Sequence, residues 1–282
     1  MSVSRPVSAR PRADQVEHTA TAPPSDEELA AIEDERVGWS RLLGATIEDE
    51  REPGGRLVTH TAPASSLNYL CGVRWTADGF DVRLRRAIEL MSDRGVWPSL
   101  VVCDGLTTPT DMAERLRAAS WLPVFSDRIM FTRHAAVVPH LDPELRVEAV
   151  TPASALEAVR LETDVFGLAP EAIGESAELL ADSVAAGTTR GFLLRLRGEA
   201  VATVRLVPGP MVAGLHAVGV DPRQRRRGYG RMLTTIATRA GLATGHRLVW
   251  LSVLEENEAA VSLYRSLGFE PSFRWTRWLA PA

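Results

Sequence analysis

From Val218 to Arg231 the chain reads VGVDPRQRRRGYGR: an apolar run, a proline, five arginines within residues 223–231, and glycines at 228 and 230. The apolar run Met211–Val220 predicts a strand that stops at Pro222. The spacing of Met232, Leu233, Ile236, Ala237 and Ala240 predicts a helix over Gly230–Leu242. A strand that passes through a glycine turn into a helix, among the mixed helices and strands around it, indicates an α/β or α+β sheet with helices on both faces. Glycines in such a turn let several backbone N–H groups face one point, and the positive end of the helix dipole points the same way. Arginines beside it offer forked donors to phosphate oxygens, so a pyrophosphate suits the junction. A solvated basic loop is the other reading of an arginine run. A dinucleotide-binding fingerprint does not fit, because Leu233 stands where its third glycine would be.

Around this junction the pattern predicts strands at Arg146–Val150, Gly191–Arg197, Ala200–Val207, Leu248–Leu254 and Phe273–Leu279. Helices are predicted over Pro152–Phe166, Pro170–Ala186 and Glu258–Leu267, the last capped by Asn257 and stopped by Gly268. A composition break at His134–Pro143 predicts a linker between two domains, 25–140 and 141–282. Residues 1–24, rich in Ser, Pro, Arg and Ala, predict a disordered tail that ends where Ser25 caps a helix beginning Asp26-Glu27-Glu28.

Composition narrows the chemistry. All 32 basic residues are arginine, which excludes Schiff-base lysines, lysine general bases and lysine-containing phosphate loops. Cys71 and Cys103 alone make neither a disulfide framework nor a zinc site, and His18, His60, His134, His140 and His246 show no ligand spacing, so no metal is expected. A net charge of −4 argues against a general nucleic-acid binder. Apolar runs such as Val212–Val220 are about half the length of a membrane span, and no apolar stretch follows the N-terminal arginines. The expectation is a cytoplasmic protein that binds neither membrane nor nucleic acid, as a monomer or homodimer.

The segment Arg225-Arg226-Arg227-Gly228-Tyr229-Gly230 resembles the acyl-CoA-binding signature of the GNAT superfamily of N-acetyltransferases, Gln/Arg-x-x-Gly-x-Gly/Ala. Leu251-Ser252-Val253, Asn257, Ala260, Leu263-Tyr264 and Leu267-Gly268-Phe269 resemble the family's closing strand and helix, and the resemblance covers about 141–282. It implies a mixed, mostly antiparallel sheet flanked by helices and splayed between the strand ending at Val220 and the one beginning at Leu248. The pantetheine arm of acetyl-CoA, the co-substrate, would lie in that splay against backbone groups of Val218, Gly219 and Val220. Residues Arg225 to Arg231, with Gly228, Tyr229 and Gly230 among them, would hold the pyrophosphate, and Asn257 would touch the arm near its middle.

By the same resemblance Tyr264 is the general acid that protonates the departing thiolate; a core tyrosine on an amphipathic helix is the alternative. His216 is the candidate base, expected in register with Val218 and Val220 so that it faces the cleft, with a buried, hydrogen-bonded histidine as the other reading. Glu255 and Glu256 are further candidates.

A shift of 148 residues brings Leu100-Val101-Val102 onto Leu248-Val249-Trp250 and Pro123-Val124-Phe125 onto Pro271-Ser272-Phe273. It also sets Asp78–Val82 against the arginine loop and Leu116 against Tyr264. The first half therefore reads as a degenerate GNAT-like domain, with an unrelated α/β domain as the alternative. The expected activity is acetyl-CoA-dependent transfer of an acyl group to a primary amine, carried by a small molecule or a peptide, by direct attack. A non-catalytic acyl-CoA sensor or scaffold is the alternative. Glu162, Asp164, Glu171 and Glu175, on the helices expected to line the acceptor pocket, suggest a cationic acceptor.

Overall fold

The capping box of Ser25 and Glu28, each side chain bonded to the other's backbone N–H, starts α1 (Asp26–Leu42). The computed structural model describes residues 21–62, 66–138 and 142–281. After α1 come β1 (Thr46–Glu50), β2 (Gly55–Thr59), β3 (Tyr69–Cys71), α2 (Phe80–Asp93), β4 (Ser99–Cys103), α3 (Met112–Ala118) and β5 (Leu122–Thr132). The second half runs β6 (Leu145–Ala149), α4 (Ala155–Phe166), α5 (Ile173–Ala185), β7 (Arg190–Leu196), β8 (Glu199–Pro208), β9 (Val212–Val220), α6 (Tyr229–Ala243), β10 (Leu248–Leu254), α7 (Glu258–Ser266) and β11 (Glu270–Leu279). Elements of the first half recur in the second at nearly one offset, β5 beginning at Leu122 and β11 at Glu270. No described helix is long and apolar enough to cross a membrane.

All the described strands join one sheet in the order β1-β2-β3-β4-β11-β5-β10-β9-β8-β7-β6. The two halves exchange their last strands. β11 lies between β4 and β5, and β5 lies between β11 and β10, all antiparallel. Arg277 on β11 is anchored inside the first half, donating to Ser99 Oγ at 2.7 Å and to the Asn68 carbonyl at 2.6 Å. An aromatic-rich core of Trp250, Phe131, Trp275 and Tyr69, with Ile32 and Val37 of α1, spans both halves. So α1, although first in sequence, packs against β9 of the second half.

The expected disordered tail falls mostly on residues 1–20, outside the described residues. Thr21 to Pro24, assigned to that tail, are held by the fold: the Thr21 N–H donates to Glu270, and Arg133 donates to the carbonyls of Ala22 and Pro23. The linker expected at His134–Pro143 connects β5 to β6, and its residues 139–141 also lie outside the described residues.

Candidate active site

β9 and β10 are parallel and pair from Val212/Leu248 only as far as Leu215/Leu251. β9 continues to Val220 and β10 to Leu254, so the last residues of both strands part and leave backbone groups of β9 unpaired on that side. This is the expected splay. The first half lacks it. There the chain after β3 bonds back across the gap, with the Trp75 N–H donating to the Thr108 carbonyl at 3.0 Å and the Thr108 N–H to the Val73 carbonyl at 3.4 Å. Trp75 is buried, its ring N–H donating to the Gly54 carbonyl, and Leu116 is buried where α7 carries Tyr264. The cleft of the first half is zipped shut and filled.

A bulge shapes the open strand. Thr203 pairs with Gly219 but Arg205 with His216, so Ala217 and Val218 together oppose one residue of β8, and Ala217 takes φ +49°. The extra residue breaks the alternation of faces. Val218 and Val220 face α6: both pack with its core, and Val220 Cγ2 would lie 3.4 Å from a β-carbon on Gly230. His216 and Gly219 face α1 and α4, and a β-carbon on Gly219 would come within 2.9 Å of Val165. The expectation that His216 stands in register with Val218 and Val220 is therefore corrected, because the count of two holds only without the bulge.

His216 is buried, 6% exposed, between the two halves. Its Nε2 lies 3.0 Å from Glu35 Oε1 of α1, its ring stacks on Trp39 with centroids 4.2 Å apart, and Trp250 meets it edge-on at 5.3 Å. Beside it Arg205 is paired with Glu162 and lies over the Trp39 ring. Arg36 is paired with Asp127 and donates to Ser252 Oγ at 3.0 Å. Burial raises the Glu162 carboxyl against the pull of Arg205. Glu162 is thus committed to Arg205 inside the fold and is not a free acid on a pocket wall, whereas Asp164, Glu171 and Glu175 are exposed.

The arginine loop forms the predicted nest. Arg226 (φ +63°) and Gly228 (φ +81°) are left-handed, with Arg225 extended before them. Gly228 caps α6 without a side-chain oxygen, so the first-turn N–H groups from Tyr229 onward lack a capping side chain. Arg223 is chelated by Asp221, Arg225 donates to the Val220 carbonyl at 3.4 Å, and Arg231 to Ser266 Oγ at 2.6 Å. Arg226 and Arg227 have no ion-pair partner among the described residues and face outward at the helix start. A cavity of about 490 Å³ lies alongside, lined by Arg197, Arg227, Tyr229, Arg231, Leu145 and Met232. These unpaired N–H donors and free guanidiniums fit a pyrophosphate.

Tyr264 is buried on α7, against Phe269 with centroids 5.9 Å apart, and its hydroxyl has no hydrogen-bond partner among the described residues. Burial pushes its phenol up to about 12. Asn257 caps α7, its Oδ1 accepting the Ala260 N–H at 3.2 Å, which leaves its amide N–H groups for another partner. Burial raises the Glu255 carboxyl, but hydrogen bonds from Arg274 and Arg128 outweigh it and hold the group below its ordinary range, while Glu256 is exposed. Local pattern does not pick out Glu35, Arg36 and Trp39. Their trace in sequence is a charge inside the stripe of α1 that buries Glu28, Ile32 and Glu35 and half-buries Trp39, whose meaning depends on what the stripe packs against.

Residues 158–269 match the acetyltransferase (GNAT) family. A mycothiol acetyltransferase of Kocuria rhizophila is 38% identical over 96 residues, 30% of this chain and 31% of the relative, so the chain spans about a third of the length of that curated relative. Among solved structures, a GCN5-related N-acetyltransferase from Kribbella flavida superposes with a TM-score of 0.67 at 18% identity, covering 90% of this chain and 95% of the other. A tandem GNAT protein from the clavulanic acid biosynthesis pathway superposes at 0.62 and 18% identity, covering 89% and 97%. The fold is that of a tandem GNAT protein.

Proposed function

Since residues 158–269 form a GNAT-family domain, we propose that the protein is an acyl-CoA-dependent N-acyltransferase with one working cleft, in its second half, and a first half whose cleft is closed. The observation that carries this reading is the splay of β9 from β10 beside the nest at Arg226–Gly228. The nest and Arg227 hold the pyrophosphate of acetyl-CoA, and the freed backbone groups of Val218 and Val220 take the pantetheine amides. The amide N–H groups of Asn257, at the head of α7, donate to the same arm.

The two faces of the splay divide the chemistry. Tyr264 belongs to the α6/α7 face and His216 to the α1/α4 face, on opposite sides of the slot in which the thioester lies. His216 takes a proton from the incoming ammonium, and the lone pair so freed then bonds the nitrogen to the acyl carbon. Tyr264 gives its proton to the sulfur as the carbon–sulfur bond breaks, and its phenolate takes back the surplus proton of the newly bonded nitrogen, leaving the neutral amide and the free thiol. Val165, Phe166 and Leu168 at the end of α4 form an apolar wall beside the acceptor side, the last two exposed at 46% and 49%.

The test is thiol release from acetyl-CoA by the purified full chain across a panel of primary amines. Relatives carry the name mycothiol acetyltransferase, so an amine from thiol-sugar biosynthesis belongs in the panel with polyamines, aminoglycosides and peptide N-termini. Acetyl-CoA binding without turnover of any amine would replace the transferase with an acyl-CoA sensor.

A further inference from the structure

We propose that Glu35, contributed by the first half, is the positioning residue of this active site: it fixes the tautomer of His216 so that Nδ1 is left bare to accept the acceptor's proton. The inference rests on the transferase reading above, and it makes the closed first half a working part of the second half's site.

The geometry is specific. Glu35 Oε1 lies 3.0 Å and Oε2 3.4 Å from His216 Nε2, and both side chains are 4% exposed. A carboxylate accepts hydrogen bonds only, so it selects the tautomer carrying hydrogen on Nε2. Nδ1 has no hydrogen-bond partner among the described residues. The ring cannot swing away from Glu35, because Trp39 stacks on it within 8° of parallel and Trp250 closes its edge. His216 is also the first residue of β9 beyond the last pair with β10, so it stands where the slot opens.

The strand makes room for this pair. Gly214, one residue past Ala213 on the face toward α1, would carry a β-carbon 2.6 Å from His216 Nε2 and closer still to Glu35. Any side chain there would displace the carboxylate from the ring. Every other charge around the imidazole is already matched. Arg205, opposite His216 in the ladder with β8, is bound by Glu162 of α4, and Arg36 of α1 is bound by Asp127 of β5 and Ser252 of β10. Glu35 is thus the acid left to balance an imidazolium. When the amine's proton moves to Nδ1, the hydrogen on Nε2 stays in place, and Glu35 faces the new positive charge until water removes the proton.

The test uses the full chain with histidine labelled in ¹⁵N and CoA bound. Long-range ¹H–¹⁵N spectra, with His216→Gln to assign the signal, should show His216 protonated on Nε2 and bare on Nδ1. In Glu35→Gln the amide group can donate to Nε2, so the bare nitrogen should shift toward Nε2 while CoA affinity holds. Thiol release from acetyl-CoA with ethylamine, which arrives protonated, should fall by roughly 10²-fold or more in that variant. With trifluoroethylamine, largely neutral at neutral pH and of similar size, the loss should be much smaller. A wild-type spectrum with hydrogen on Nδ1 overturns the proposal whether or not the variant folds. An equal loss with both amines overturns it too, since that marks a packing role. If wild type binds CoA but turns over neither amine, the transferase reading falls, and the spectrum still decides the pair.

Discussion

Replacing Tyr264 by Phe removes one oxygen from the centre of the proposed mechanism and leaves the rest of the core in place. The ring packs against Phe269 at 5.9 Å and is 6% exposed, contacts that phenylalanine keeps. The hydroxyl makes no hydrogen bond to the described residues, so folding stability should change by no more than about 1 kcal/mol. Activity should respond very differently. Burial holds the phenol at about 12, so it is fully protonated through the neutral range and should contribute no alkaline limb to the rate below about pH 11. Against a free thiol near its reference value of about 8.5, transfer of that proton would be uphill by about 5 kcal/mol. The transfer therefore belongs in the bond-breaking step, where the same dry surroundings raise the proton affinity of the departing sulfur. Losing general-acid help is worth about 10²–10⁴ in rate, about 3–5 kcal/mol of barrier, and should appear in kcat with little change in KM for acetyl-CoA. The assay is steady-state thiol release beside a melting curve. If kcat falls less than about fivefold with chemistry rate-limiting, another group protonates the sulfur. A lowered Tm with normal kcat per folded molecule would make Tyr264 a packing residue.

Arg227→Ala removes a free guanidinium from the nest and should weaken CoA binding by about tenfold to a hundredfold without lowering Tm; calorimetry with unchanged affinity would refute the placement. Because Trp75 and the Thr108 bonds close the first half, titration should give one CoA per chain, and two equivalent sites would contradict that closure. Glu28 accepts two hydrogen bonds at 2.7 Å from Arg133, whose guanidinium is the largest cause holding its carboxyl down at about 2 against an ordinary 4.5. A depressed carboxyl stabilises the fold above its unfolded value, so wild type should exceed Glu28→Gln in stability above about pH 5. That advantage should fade as the pH falls from there toward 2, followed by chemical denaturation at each pH.

Elements and turns built from neighbours in sequence were legible in the sequence itself. The periodicity that predicts Gly230–Leu242 finds α6 at Tyr229–Ala243, and the predicted strand Leu248–Leu254 coincides with β10. Asn257 caps its helix as its type and position suggest, and the glycines of the arginine loop mark a nest because left-handed backbone is a property of single residues. The internal echo was legible too, since elements of the first half recur in the second at nearly one offset.

What depended on distant partners was not. Alternation along β9 puts His216 beside Val218, and one extra residue at Ala217 moves it to the other face; a bulge is decided by how two strands pair, not by either strand alone. The four acids read as lining a pocket for a cationic acceptor lose Glu162 to Arg205, a partner 43 positions away. The exchange of β5 and β11 leaves no local mark, because which neighbours a strand pairs with is decided between strands and not within one. Glu35 meets His216 across 181 residues of chain. Local sequence chose the conformation of each segment, and the tertiary fold decided which buried charge each histidine, arginine and glutamate would face, because a buried charge persists only where the whole fold supplies its partner.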